Sequence, residues 1–382
     1  MSIIESFQLA VPQADLDDLH RRLDHARWPE KEPVDDWSQG APLAKLRALC
    51  EYWRNGYDWR RCEARLNALG QFRAEIDGLQ IHFMHVRSPH PDALPLILTH
   101  GWPGSIIEFL KVVGPLSNPT AHGGKAEDAF HLIVPSLPGY GFSGKPAETG
   151  WGVMRIAQAW ATLMERLGYD RYVAQGGDWG STVTTKLGAL APAGLAAIHL
   201  NMVVAFPDPA DQSEWTEGEK ACWESFINFK KQETGYSSEQ MTRPQTIGYS
   251  LVDSPVGQAA WIYEKFRAWT DCGGDPENVL SPDEMLDNIS LYWLTGSGAS
   301  SARLYWESMA DGFVPTQVLV PTGCSIFPKE MARASRRWAE RNYRNIVHWN
   351  ELDRGGHFAA FEQPDLFTSE VRACFRPFQQ AR

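Results

Sequence analysis

The chain has 382 residues, of which 43% are hydrophobic and 22% charged, an ordinary composition for a globular protein with one large core and room for an accessory unit. Its net charge of −11 argues against a nucleic-acid or anionic-membrane partner. Six scattered cysteines without a C-x-x-C pair suggest neither a zinc site nor a disulfide framework and fit a reducing cytoplasm; residues 1–6 lack the basic flank of a leader, and no run reaches the ~20 apolar residues that span a bilayer.

Residues 1–90 read as helices joined by long irregular connections. Leu16, Leu19 and Leu23 form one apolar stripe, Leu43, Leu46, Cys50 and Trp53 a second, and Trp59, Cys62 and Leu66 a third. The rings of Arg27-Trp28-Pro29 and Tyr57-Asp58-Trp59-Arg60 are expected to pack loops onto another surface. From Phe72 the rhythm changes. Residues 80–86 alternate like a half-buried strand, and 96–99 form a continuous apolar run, as in a strand covered on both faces. Apolar runs followed by helical patterns return at 132–134, then at 172–176, with a helix through Ile156, Trp160, Leu163 and Leu167 between them. The alternation predicts an α/β fold with a mostly parallel sheet and helices on both faces. Such sheets bind ligands at the carboxyl ends of their strands, and His100, Pro138 and Asp178 all stand just past such ends.

Residues 206–311 carry ring-rich helical patterns and read as a helical insertion that lids the crevice. Within it, Asp253-Ser254-Pro255 has the chemistry of a helix start, with Asp253 as the cap. The sheet resumes at 318–323 and 346–349, so 91–205 and 312–382 form the two parts of the core. No internal repeat interrupts this organisation.

The stretch Gly176-Gly177-Asp178-Trp179-Gly180-Ser181 is the pivot of the chain. A strand pattern precedes it, and Val183, Leu187 and Leu190 follow at helical spacing until Pro192. Small residues two before and two after the central one are what a nucleophile elbow requires, because the central residue is strained and its neighbours crowd the helix. Alone, G-x-D-x-G equally describes an ordinary turn. The order nucleophile, acid, histidine supplies partners: Glu330 in Phe327-Pro328-Lys329-Glu330 or its rival Asp353, and then His357 after the pair Gly355-Gly356. Spacing leaves Glu330 and Asp353 both open.

A carboxylate nucleophile restricts the reaction. It is a poor acyl acceptor but displaces a leaving group from saturated carbon, so a halide or a strained ether is expected as substrate, with water as co-reactant and neither cofactor nor metal. Attack leaves an alkyl ester on Asp178. His357 takes a proton from water, the acid supports the imidazolium, and the backbone N–H groups of Trp102 and Trp179 hold the oxyanion. A departing halide needs only N–H donors, whereas an opening epoxide becomes an alkoxide and wants a proton donor such as a pair of tyrosines on the lid.

Together His100-Gly101-Trp102-Pro103-Gly104-Ser105, Gly176-Gly177-Asp178-Trp179-Gly180-Ser181, Asp253-Ser254-Pro255-Val256-Gly257 and Arg354-Gly355-Gly356-His357-Phe358-Ala359-Ala360-Phe361, with the Trp28 and Trp59 patches, resemble the microsomal-type epoxide hydrolases over nearly the whole chain. The resemblance implies an α/β-hydrolase fold with an N-terminal epoxide hydrolase segment at 1–90, and cofactor-free conversion of an epoxide to a vicinal diol, in detoxification or secondary metabolism. It implies Glu330 as the acid, since the family's acid stands in a Phe-Pro-x-Glu turn. It also implies Tyr236, in Gly235-Tyr236, and Tyr305, in Arg303-Leu304-Tyr305, as ring-opening acids, with Tyr263 a rival for one place. The family's membrane anchor is missing, which implies a soluble, bacterial-like member; a homo-oligomer stays open. The competing readings are a haloalkane dehalogenase using Asp178, an inactive hydrolase-fold binding protein, and an esterase using Ser181.

Overall fold

The computed structural model describes residues 4–379; the reading of the first residues as no leader therefore falls, for 1–3, outside them. Nine strands among the described residues build one sheet: β1 (Ile4–Phe7), β2 (Gln71–Ile76), β3 (Leu79–Val86), β4 (Leu94–Thr99), β5 (Phe130–Pro135), β6 (Tyr172–Gly176), β7 (Leu195–Leu200), β8 (Thr322–Ile326) and β9 (Ile346–Glu351). Their order is β1-β2-β3-β5-β4-β6-β7-β8-β9. The pairs from β1 to β5 are antiparallel, and those from β5 through β4 and β6 to β9 are parallel. Every residue of the central strands β4 and β6 is buried, which explains their unbroken apolar runs: crossover helices cover both faces of a parallel sheet. Helices Leu110–Ser117, Val153–Arg166 and Trp179–Leu190 make the first three of these crossovers.

Three local expectations are corrected. The N-terminal stretch contributes a strand as well as helices: Ile4–Phe7 is too short and polar to show a period, and it is a strand because it pairs with β2 and so forms the edge of the sheet. The strand expected at 318–323 begins instead at Thr322. Pro321 has no N–H to give a ladder, Leu319 is 69% exposed, and Val318 makes a single bridge to Tyr343. The cap of helix Pro255–Trp269 is Ser254, whose side chain accepts from the Gly257 N–H; Asp253 closes the preceding helix and pairs with Arg22 at 3.0 Å.

Helices between β7 and β8 lie over the carboxyl ends of the strands, and the N-terminal helices grip them from outside. Trp53 Nε1 donates to Ser290 Oγ at 2.9 Å, Tyr57 Oη to Asp287 Oδ1 at 2.8 Å, and Arg61 pairs with Asp287 at 2.9 Å. The ring packing expected of the two tryptophan patches is present: Trp59 is buried, and the Arg47 guanidinium lies over the Trp28 ring, 4.9 Å from its centroid. All six cysteines are free thiols. No helix among the described residues is long and apolar enough to cross a membrane.

Candidate active site

Asp178 occupies the bend between β6 and helix Trp179–Leu190 with φ 51° and ψ −130°, a conformation costly for a residue with a side chain and held only where its surroundings enforce it. The enforcement is visible in two close approaches. A Cβ on Gly180 would stand 1.9 Å from the Thr99 carbonyl oxygen, and one on Gly101 would stand 2.0 Å from Asp178 Oδ1. Glycine at these places lets the helix start press against β4, and lets the carboxylate lie on the turn that follows β4.

That turn supplies a donor. The Trp102 N–H donates to Asp178 Oδ1 at 2.7 Å, ahead of a cis Trp102-Pro103 bond. Trp179 is the first residue of its helix, where a backbone N–H has no acceptor within the helix; its ring meets Tyr305 edge-on at 4.8 Å. His100, singled out for its position, has a structural task. Nδ1 donates to the Gly101 carbonyl at 2.9 Å and Nε2 accepts from the Leu137 N–H at 3.2 Å. Burial lowers its pKa to about 4, so a neutral ring ties the turn after β4 to the turn after β5.

On the other side of the carboxylate, His357 Nε2 lies 3.2 Å from Asp178 Oδ2, and Nδ1 lies 2.9 and 3.0 Å from the two Glu330 oxygens. The histidine loop is anchored by its own N–H, which donates to the Trp269 carbonyl at 2.8 Å. Glu330 accepts from the Met331 N–H at 2.7 Å, and its loop bridges Gly356 through Lys329. The alternative acid, Asp353, is 80% exposed and faces Arg354; Glu330 alone of the two meets the imidazole. Burial opposes a charge on His357, but Glu330 and Asp178 together outweigh it and hold the imidazole pKa well above its usual value.

Tyr236, on helix Gly235–Thr242, stacks on the Trp102 ring at 5.0 Å and 8°. Tyr305, on helix Ser297–Ser308, meets the same ring edge-on at 5.8 Å. The two phenol rings are 5.8 Å apart. Burial, reinforced by the Asp178 charge, pushes both phenols well above their ordinary pKa, so both are protonated at neutral pH. Tyr263 packs on Trp37 at 5.5 Å and does not line the cavity that Tyr236 and Tyr305 share with Asp178.

That cavity has a volume of about 220 Å³, and Phe206, Trp223, Phe226 and Phe313 add to its apolar wall. A second, of about 20 Å³, borders Asp178 and His357 from behind. Asp178 is the one residue common to both linings. Sequence reasoning missed Trp269 and Lys265 of helix Pro255–Trp269. The Trp269 ring lies 5.1 Å from both His357 and Tyr236, and the buried Lys265 ammonium sits 4.6 Å from the centre of the Tyr236 ring. Neither stands in a motif; only folding the helix over the crevice brings them there.

Residues 95–233 match the family described as alpha/beta hydrolase fold, and this match, with the sheet order and the elbow, makes the protein an α/β-hydrolase. Residues 4–109 match the family described as epoxide hydrolase N terminus. A protein of Stigmatella aurantiaca (strain DW4/3-1) named "Putative epoxide hydrolase" is 60% identical over 373 residues, covering 98% of this chain and 85% of that one. Epoxide hydrolase 1 of Sus scrofa is 36% identical over 403 residues, covering 97% and 88%. The solved Aspergillus niger epoxide hydrolase superposes with a TM-score of 0.88 at 34% identity, over 98% of this chain and 96% of that one. The chain belongs to the epoxide hydrolase family, and the protein is an epoxide hydrolase.

Proposed function

We propose that the enzyme converts a lipophilic epoxide and water to a vicinal diol through an alkyl ester on Asp178. One observation carries this reading: Asp178 lines both a cavity with two buried phenols in its wall and a second cavity with the imidazole in its wall. Oδ1 is tethered to the Trp102 N–H, leaving Oδ2 to attack an epoxide carbon. The carbon–oxygen bond of the ring breaks, and the released oxygen takes a proton from Tyr236 or Tyr305. Water then adds to the ester carbonyl, giving one proton to His357. The oxyanion rests on the Trp102 and Trp179 N–H groups, and collapse expels the diol oxygen, which takes the proton from the His357 imidazolium; the second hydrogen of the water passes to the phenolate, so that Asp178, His357 and the tyrosine are all restored.

Charge couples the two half-reactions. Asp178 helps to keep the proton on His357; alkylation converts that carboxylate to a neutral ester, so the imidazole becomes a better base at the moment a base is needed. Glu330 remains to stabilise the imidazolium. The helices of 206–311 act as the lid that brings the phenols down, and 1–90 braces that lid against the core segments 91–205 and 312–382. The aromatic wall suits a lipophilic epoxide, and the free thiols fit a reducing cytoplasm. A haloalkane dehalogenase would have no use for two protonated phenols beside the nucleophile. A single turnover of styrene-type and alkyl epoxides in ¹⁸O-labelled water tests the reading: the label should enter Asp178 and be absent from the first diol released. Label appearing directly in that diol would refute the ester.

A further inference from the structure

The 20 Å³ cavity is the right size for one water molecule, since about 10–15 Å³ of such space suffices, provided that two to four polar groups face it. Its wall includes Asp178, His357, Asn201 and Glu108. Glu108 lies in the short turn Ile106–Phe109 after the Trp102 segment. Its neighbours Ile107 and Phe109 are buried, whereas Glu108 has intermediate accessibility and lines the cavity. Room for its carboxyl comes from Gly104, where a Cβ would stand 2.5 Å from Glu108 Oε2. The last glycine of His100-Gly101-Trp102-Pro103-Gly104 thus has a reason in the carboxyl packed upon it.

Asn201 completes the set. Its Oδ1 accepts from Gln175 Nε2 at 2.7 Å, which orients Nδ2 as the group left to donate. A Cβ on Gly177 would lie 2.7 Å from that nitrogen, so the amide sits directly above the residue preceding the nucleophile.

We propose that Glu108 is the water-positioning residue of the second half-reaction, a role that rests on the ester reading above. The water accepts from Asn201 Nδ2 and donates one hydrogen to a Glu108 oxygen and the other to His357 Nε2. Its remaining lone pair is aimed at the ester carbon of Asp178. The O–H bond facing His357 breaks as the C–O bond to Asp178 forms; the ester C–O bond then breaks, and the diol oxygen receives the proton that His357 took from the water. Burial raises the Glu108 carboxyl to about 8, partly countered by His357. Near neutrality the group is mainly a neutral carboxyl whose carbonyl oxygen accepts, so glutamine reproduces it.

Rapid-mixing kinetics with a reactive epoxide separate alkylation from ester hydrolysis. Glu108→Leu should slow hydrolysis about 10- to 100-fold while alkylation changes less than about 3-fold, so that alkyl-enzyme accumulates; Glu108→Gln should stay within about 3-fold of the parent in both steps. Hydrolysis at the parental rate in Glu108→Leu, or an equal loss of both steps in the two variants, would overturn the proposal. Should Glu108→Leu fold poorly, Gly104→Ala, which displaces the carboxyl, should also accumulate ester, and parental hydrolysis there would likewise overturn it. Absence of any ester in His357→Gln would instead sink the underlying covalent mechanism, a different result in a different variant.

Discussion

His357 Nε2 stands 3.2 Å from Asp178 Oδ2 while its Nδ1 is held by both oxygens of Glu330. One imidazole therefore lies between two carboxylates, of which the proposed mechanism alkylates only the first. Replacing His357 by Gln should leave Asp178 free to attack and remove the base that releases the product. Intact mass spectrometry after epoxide addition should show protein plus one substrate. An unmodified mass with continued turnover would contradict the assignment.

Because Glu330 is the larger of the two charges that keep the His357 proton in place, Glu330→Gln should lower the imidazole pKa. The hydrolysis step needs a neutral ring, so its acid limb should move to lower pH. Its plateau should fall by about 100-fold or more as the imidazolium loses its support. Asp353→Asn, altering an exposed carboxylate, should leave limb and plateau unchanged. The pH dependence of ester decay in single turnovers measures both.

Tyr236 and Tyr305 share the Trp102 ring and the same cavity, so each phenol can partly replace the other. Either Phe variant should slow alkylation about 10-fold, and the double variant by about 1,000-fold or more. Burst kinetics read this directly, and an unchanged double variant would remove both from the chemistry. Tyr263→Phe, remote from the cavity, should not slow alkylation.

Gly180→Ala tests the elbow itself. Its new methyl would meet the backbone of β4 at Thr99, which cannot yield as a side chain can. A loss of about 3 kcal/mol or more in chemical denaturation is expected, whereas Gly235→Ala, with open space around its Cβ, should cost less than about 1 kcal/mol.

Glu219 ties helix Glu217–Gln232, part of the proposed lid, to the segment after β8. This buried carboxylate accepts from Arg337 Nε and Nη2, both at 2.9 Å, from Ser335 Oγ at 2.8 Å and from the Thr216 N–H at 2.9 Å. The Arg337 bonds, aided by Thr216 and Ser335, lower its pKa to about 2. A depressed carboxylate stabilises the fold above its unfolded pKa near 4.5, and that contribution disappears as pH falls from about 4.5 to 2. Glu219→Gln should cost about 1–2 kcal/mol at pH 7, discounted because Arg337 is 40% exposed, and the difference from the parent should vanish near pH 2. Amide exchange of the lid helix follows both effects.

The sequence alone made legible what local sterics and reactivity dictate. Gly176 and Gly180 mark an elbow because a Cβ on either strikes backbone; an aspartate at its tip points to displacement at saturated carbon over acyl transfer; unbroken apolar runs announce strands buried on both faces. The tertiary structure decided what depends on partners distant in the chain. Glu330 prevails over Asp353 because its loop bridges the histidine loop, a contact that spacing does not encode. Ile4–Phe7 is a strand only because β2 offers it an edge. Tyr236 and Tyr305 line one cavity with Asp178, and Tyr263 does not, because helix packing over the crevice fixes the position of each ring. Two cavities that share one carboxylate-bearing residue have no sequence signature, since the first is the space left among segments spread from Asp178 to Trp338 and the second among segments spread from Gly101 to Phe367.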